Sequence, residues 1–250
     1  MIVNNIKINA DDFGLKSSVN KAIIEAFDKN YINSTTLMAN MSGFDEAVYL
    51  IHKHQLNLKI GAHLVLTEGL PLTDNIKSID FLFERKRLAK SQLIRNLLFL
   101  NKSEKKLIFQ EFCAQIEKIK KNGILITHID THHHTHEFYA ILEILFQIKK
   151  KYQIPTIRIL NNLVKPSPIN KKIYRSTINY YLRKAHANHS DLFGNQLEFL
   201  RKFQVDPEVL KKKSIEIMVH PDYDDEGRLI DKSGQENLNF NFSKICNKVD

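Results

Sequence analysis

A parallel α/β fold is what this sequence predicts, and three observations predict it. Short apolar runs alternate with stretches of helical periodicity through the 250 residues. No internal repeat or low-complexity linker interrupts that alternation, so one domain over residues 1–250 is expected. Four of the apolar runs end in Asp or His, at the strand C-termini where parallel α/β folds place their sites.

The elements follow in order. Ile2 to Asn9 reads as a first strand, ended by a turn at Ala10-Asp-Asp-Phe-Gly14. Ser17 or Ser18 can cap a helix whose apolar positions are Val19, Ala22, Ile23, Ala26 and Phe27. Thr35 to Ala39 reads as a strand, Phe44 to His54 as a helix and Leu58 to Leu66 as a third strand. Leu70 to Leu88, with Gly, Pro, Thr and Asp near its start, reads as a long loop. Lys90 to Leu100 and Ser103 to Lys121 are helical, the second with Phe109, Phe112, Ile116 and Ile119 on one stripe. Asn122-Gly123 stops it. A strand over Ile124 to Asp130 precedes a helix from about Glu137 to Lys151 and a short strand from Thr156 to Leu160. Residues 171–187 form another helix, and Asp206-Pro-Glu starts one more, with Asp as cap and Pro at the first helical position. Ser214 to Val219 is read as the final strand, and residues 237–250 as a flexible polar tail.

Composition narrows the function classes. Apolar residues at 43% and charged residues at 26% are ordinary for a globular protein with a buried core. The net charge of +9 comes mostly from lysines spread along helix faces, without zinc-finger spacing. That reads as a solvated basic surface and not a nucleic-acid site. Cys113 and Cys246 form neither a CxxC motif nor a disulfide framework. No apolar run reaches about 18 residues and no secretory leader is evident, so a cytoplasmic protein is expected.

The most informative stretch is Ile126-Thr-His-Ile-Asp-Thr-His-His-His-Thr-His136, five histidines and an aspartate in eleven residues. His128, Asp130 and His132 alternate, so on a strand they share one face. Imidazoles beside carboxylates can hold a divalent metal. Asp11-Asp12, His63 and His220 lie at other strand ends. Asp12, His63 and one histidine of His132–His136 make an Asp-His-His set that leaves coordination positions open. Asp11 beside it suits a general base, provided the strand ends there so that neighbouring side chains need not point apart. His220, followed by Pro221, suits the acid that protonates a leaving amine. Such ligands leave Zn, Mg, Mn, Co and Ni all possible, and one divalent ion, Mg or Zn, is expected.

Five segments then carry a resemblance. Asn9-Ala-Asp-Asp-Phe-Gly-Leu15, Ser34-Thr-Thr-Leu-Met-Ala-Asn40, Gly61-Ala-His-Leu-Val-Leu-Thr67, Thr127 to His136 and Met218-Val-His-Pro221 occur in that order. Together they resemble the YdjC-like carbohydrate deacetylases, which include chitooligosaccharide deacetylases and hopanoid-biosynthesis-associated relatives. The resemblance implies a distorted (β/α) barrel of the glycoside hydrolase/deacetylase type and metal-dependent removal of an N-acetyl group from an acetylated amino sugar. It implies Asp12, His63 and His132 as metal ligands, Asp11 as base, His220 as acid, and Arg158 as a substrate-binding arginine near the pocket. Asp130 is expected to orient a ligand histidine, and a homodimer is implied by analogy with relatives. Two rival readings use the same residues. One is another metal-dependent hydrolase of amides, esters or phosphoesters, although a second carboxylate cluster for a two-metal phosphoesterase is not evident. The other is a non-catalytic sugar-binding protein with a relict site.

Overall fold

A computed structural model describes residues 6–79, 83–84, 87–88, 100–163, 169–185, 189–205, 213–234 and 236–238. The helices expected over Lys90 to Leu100 and from Asp206, and the tail beyond residue 238, lie outside the described residues. The chain divides into two compact units. The first comprises residues 1–13, 17–35 and 158–250, the second residues 14–16 and 36–157.

In the first unit, β1 (Ile6–Phe13) is followed by α1 (Ser17–Asp28) and the opening half of β2 (Ser34–Leu37). The strand order is β8-β9-β1-β2, with β8 at Leu192–Asn195 and β9 at Ile215–Val219. β9 runs parallel to β1, from Ile6 opposite Ile215 to Ala10 opposite Val219, and parallel to β8. All five residues of β9 are buried, as a strand covered on both faces requires. The apolar stripe expected on α1 is buried at Val19, Ala22, Ile23, Ala26 and Phe27. A long helix, Ile169–Lys184, lies close to the expected 171–187.

Three features of this unit depart from expectation. β1 continues through Asp11 and Asp12 to Phe13 instead of turning at Ala10. β8 and the helix Gln196–Val205 escaped notice, because a four-residue strand containing Gly194 carries almost no periodic signal. The parallel strand ending at Val219 is not the last strand. β10 (Pro221–Tyr223), β11 (Leu229–Asp231) and β12 (Glu236–Asn237) follow as an antiparallel sheet.

The second unit holds the remainder of β2, α2 (Phe44–Lys53), β3 (Ile60–Leu64), β6 (His128–Thr131), α4 (Tyr139–Tyr152) and β7 (Thr156–Ile157). Between β3 and β6 come a two-stranded antiparallel pair, β4 (Phe83–Glu84) and β5 (Arg87–Leu88), and α3 (Lys102–Lys121). Strand order is β2-β3-β6-β7, with β3 and β6 parallel and His63 directly opposite Asp130. α3 begins with a capping box. The Asn101 side chain accepts from the Glu104 N–H, and the Glu104 carboxylate accepts from the Asn101 N–H. Its buried stripe is Ile108, Phe112, Ile116 and Ile119, so Ile108 takes the place expected for Phe109. Glu111 and Gln115 are buried on the same helix. β6 is shorter than the expected Ile124 to Asp130. The apolar residues before it approach the sheet as irregular chain anchored by the Thr127 N–H and hydroxyl, both donating to the Ile60 carbonyl.

Candidate active site

In the first unit the chemistry collects at the C-terminal end of β1. Asp11 is buried and receives two parallel bonds from Arg158, Nη1 to Oδ2 and Nη2 to Oδ1, each 2.7 Å. The Asn9 amide donates to Asp11 Oδ1 at 2.8 Å, and Ser34 of β2 donates to Asn9. Arg158 Nε donates to Glu216 on β9 at 2.7 Å, and the guanidinium lies 4.9 Å above the Phe193 ring. Burial pushes the Glu216 carboxyl up, but the charges of Lys7 and Arg158 outweigh it and hold it below the usual carboxylate range. The side chain of Arg158 has no exposed surface. The arginine expected to face substrate is therefore sealed between two carboxylates. Its fork geometry matches Asp11 bidentately, which a sequence cannot reveal across 147 residues.

Asp12 follows at φ 70, in the left-handed region that Asp tolerates better than most residues. β1 does not end before the two aspartates, as the base-and-ligand reading required. Instead this backbone twist breaks the strand's alternation between them. The two carboxylates can then take different roles.

His220 stands at the end of β9 with 27% of its side chain exposed. Its N–H donates to buried Asp231 on β11 at 3.0 Å, and its Nδ1 lies 4.0 Å from the same oxygen. Asp231 also accepts from the Ser233 hydroxyl at 2.7 Å and from the Ser233 N–H. Sequence reading did not find Asp231, which comes from the unexpected antiparallel sheet.

In the second unit the histidine stretch resolves into separate roles. His63, 2% exposed on β3, places Nδ1 2.7 Å from Asp130 Oδ1. Thr36 donates to the other Asp130 oxygen at 3.3 Å. His132 follows β6 and begins a tight turn in which His133 and His134 both have positive φ. That turn leaves His132 Nδ1 3.2 Å from His63 Nε2, and His132 Nε2 3.0 Å from Glu68 Oε2. His128 Nδ1 lies 2.8 Å from the Thr127 hydroxyl and His136 Nδ1 2.7 Å from the Thr131 hydroxyl. Exposed His133 meets Thr67.

The tautomers follow from these contacts. A carboxylate only accepts, so Asp130 draws the proton of His63 to Nδ1 and Glu68 draws that of His132 to Nε2. Both nitrogens that face each other at 3.2 Å are then lone-pair bearers. Two lone pairs held together repel unless a cation lies within reach of both. The spacing also suits a shared ion, since two ligands at about 2.0–2.1 Å in tetrahedral array stand roughly 3.3 Å apart. The imidazole pair therefore fits a divalent metal. Glu68, His132 and His133 likewise offer ligand atoms within 4.8 Å of one another.

The family model described as YdjC-like protein matches residues 5–246. The chain belongs to the YdjC-like family. Among YdjC-like relatives, a carbohydrate deacetylase of Brevibacillus brevis is 32% identical over 90% of this chain and 84% of its own length. A carbohydrate deacetylase of Clostridium beijerinckii is 33% identical over 86% of this chain and 80% of its own. A crystal structure of an Enterococcus faecalis V583 protein connected with cellobiose-phosphate cleavage superposes with a TM-score of 0.72. It covers 98% of this chain and 94% of its own at 22% identity, which shows a shared fold. The YdjC-like (β/α) architecture expected from the motifs is thus the fold of this protein.

Proposed function

We propose that this protein is a carbohydrate deacetylase that hydrolyses the N-acetyl group of an acetylated amino sugar with the help of one divalent cation. The observation that carries the reading is the His63–His132 pair, whose facing nitrogens are both made acceptors by Asp130 and Glu68. The family membership and the relatives named as carbohydrate deacetylases support the substrate class.

By the family resemblance, Asp12 would join His63 and His132 in holding the ion. Two imidazoles and one carboxylate suit zinc, cobalt or nickel better than magnesium, which prefers oxygen ligands. When bound, such an ion polarises the acetamide carbonyl and acidifies water. Asp11 accepts the proton of the attacking water. Arg158 fixes the plane of the Asp11 carboxylate by gripping both of its oxygens. The new C–O bond forms, the C–N bond breaks, and His220 donates a proton to the departing amine. Acetate and the free amino sugar result. Arg158 acts on Asp11 in this scheme and does not contact the sugar.

The test is acetate release from N,N′-diacetylchitobiose and a panel of N-acetylhexosamine conjugates. Protein stripped with EDTA should be inactive and should regain activity with one of Zn, Co, Ni, Mn or Mg. Asp11→Asn and His220→Ala should lose that activity. Release that survives both substitutions and chelation would overturn the proposal.

A further inference from the structure

Glu68 is absent from the residues assigned above as ligand, base or acid, yet the chain around it is firmly built. The Asn40 side-chain amide donates to the carbonyls of Glu68 and Leu70 at 3.0 and 3.2 Å. Gly69 has φ +75, and a Cβ there would lie 2.5 Å from Met41 Sδ and 3.0 Å from Asn40 Nδ2. Glycine takes that left-handed conformation without strain, whereas a side chain there would have to push Met41 aside. Buried Glu111 on α3 accepts from the N–H groups of Leu72 and Thr73 and from the Thr73 hydroxyl. Gln115, one helical turn later, bonds both the N–H and the carbonyl of Val65. Helix α3 thus grips the segment on either side of Glu68, and Asn40 clamps its middle. The buried Glu111, unexplained by core packing, has a purpose in this arrangement.

What this scaffold presents is one carboxylate oxygen, 3.0 Å from His132 Nε2. We propose that Glu68 is a positioning residue. It holds His132 in the tautomer that carries its proton on Nε2, so that Nδ1 turns its lone pair toward His63 Nε2 and the two can share a cation. Asp130 does the same for His63 from the opposite side. The two ligands are therefore preset by two carboxylates, one reached across the parallel β3–β6 pair and the other from a loop. Carboxylate-to-imidazole contacts of this kind orient metal ligands and raise their basicity, and losing one costs about 10–100-fold in metal affinity. The inference rests on the metal reading of the His63–His132 pair.

The experiment uses the full chain, metal-free and loaded. Imidazole ¹⁵N shifts report the His132 tautomer in metal-free protein, with His132→Gln supplying the assignment. Titration with Zn(II) and Co(II) reports affinity and stoichiometry. Wild type should show the Nε2–H form of His132 and bind one equivalent. Glu68→Ala should mix the tautomers and weaken binding about 10–100-fold. Glu68→Gln, which can still accept from Nε2–H, should keep the tautomer and lose less affinity. A merely structural Glu68 would leave the tautomer untouched and would lower the unfolding midpoint of the metal-free protein instead.

Wild-type tautomer and affinity retained in Glu68→Ala would overturn the proposal. So would a Glu68→Gln variant that keeps the Nε2–H form yet binds metal as weakly as Glu68→Ala, which would make Glu68 a ligand. Wild type that binds no cation, yet loses the Nε2–H form in Glu68→Ala, would overturn the metal reading and leave the positioning role standing.

Discussion

Arg158 grips Asp11 through two parallel bonds of 2.7 Å and holds Glu216 with its remaining Nε–H. Both carboxylates are buried, so their charges are compensated inside the protein and not by water. Arg158→Met should leave two buried carboxylates without their partner and cost about 3–5 kcal/mol of stability. Arg158→Lys keeps a charge but cannot make the fork, so it should be milder in stability and still poor in activity. Urea unfolding beside acetate-release kinetics checks both.

Glu216 also makes a pH prediction. Its carboxyl lies below the ordinary value of 4.5 in the folded protein. A depressed carboxyl contributes stability above its unfolded pKa and loses it as pH falls through the folded one. The contribution should therefore be complete above about pH 5 and drain away below about pH 4.5. Glu216→Gln should flatten the acid limb of a stability-versus-pH curve measured from pH 6 down to pH 3. An unchanged limb would show that Glu216 does not couple folding to protons.

His220 as proton donor should matter only when the leaving group needs a proton. His220→Ala should slow deacetylation of an N-acetyl sugar by about 100–10,000-fold. The same variant should retain hydrolysis of 4-nitrophenyl acetate, whose phenolate leaves unaided. Equal losses on both substrates would assign His220 a different role. Asp231→Ala, which removes the carboxylate beside His220, should follow the same substrate pattern with a smaller loss.

Gly69→Ala places a side chain at positive φ against Met41 and Asn40. The backbone conformation alone should cost about 1–2 kcal/mol. The same change should disturb Glu68, so metal affinity should fall as well. Thermal unfolding with and without added zinc separates the two effects.

Most of the elements were legible because their signals are local. The stripe of α1, the Asn122-Gly123 stop with Gly123 at φ +74, and the parallel strands ending in Asp or His all follow from spacing within about a dozen residues. β8 was not legible, because four residues with a glycine give no period to read. The antiparallel β10–β12 was missed because its strands have only two or three residues each. Among the described residues no helix is long and apolar enough to cross a membrane, in line with the absence of a long apolar run.

The sequence by itself determined which residues could carry chemistry: Asp11, Asp12, His63, His132 and His220, each at the end of an apolar run. Tertiary structure decided what each of them touches. It paired Asp11 with Arg158, His63 with Asp130, His132 with Glu68 and His220 with Asp231. Those partners lie 147, 67, 64 and 11 residues away in the chain. Periodicity reports the face of one element at a time, whereas a hydrogen bond between elements depends on strand register and on where a loop is clamped. Proton placement on the His63 and His132 rings depends on such bonds, so only the folded chain decides it.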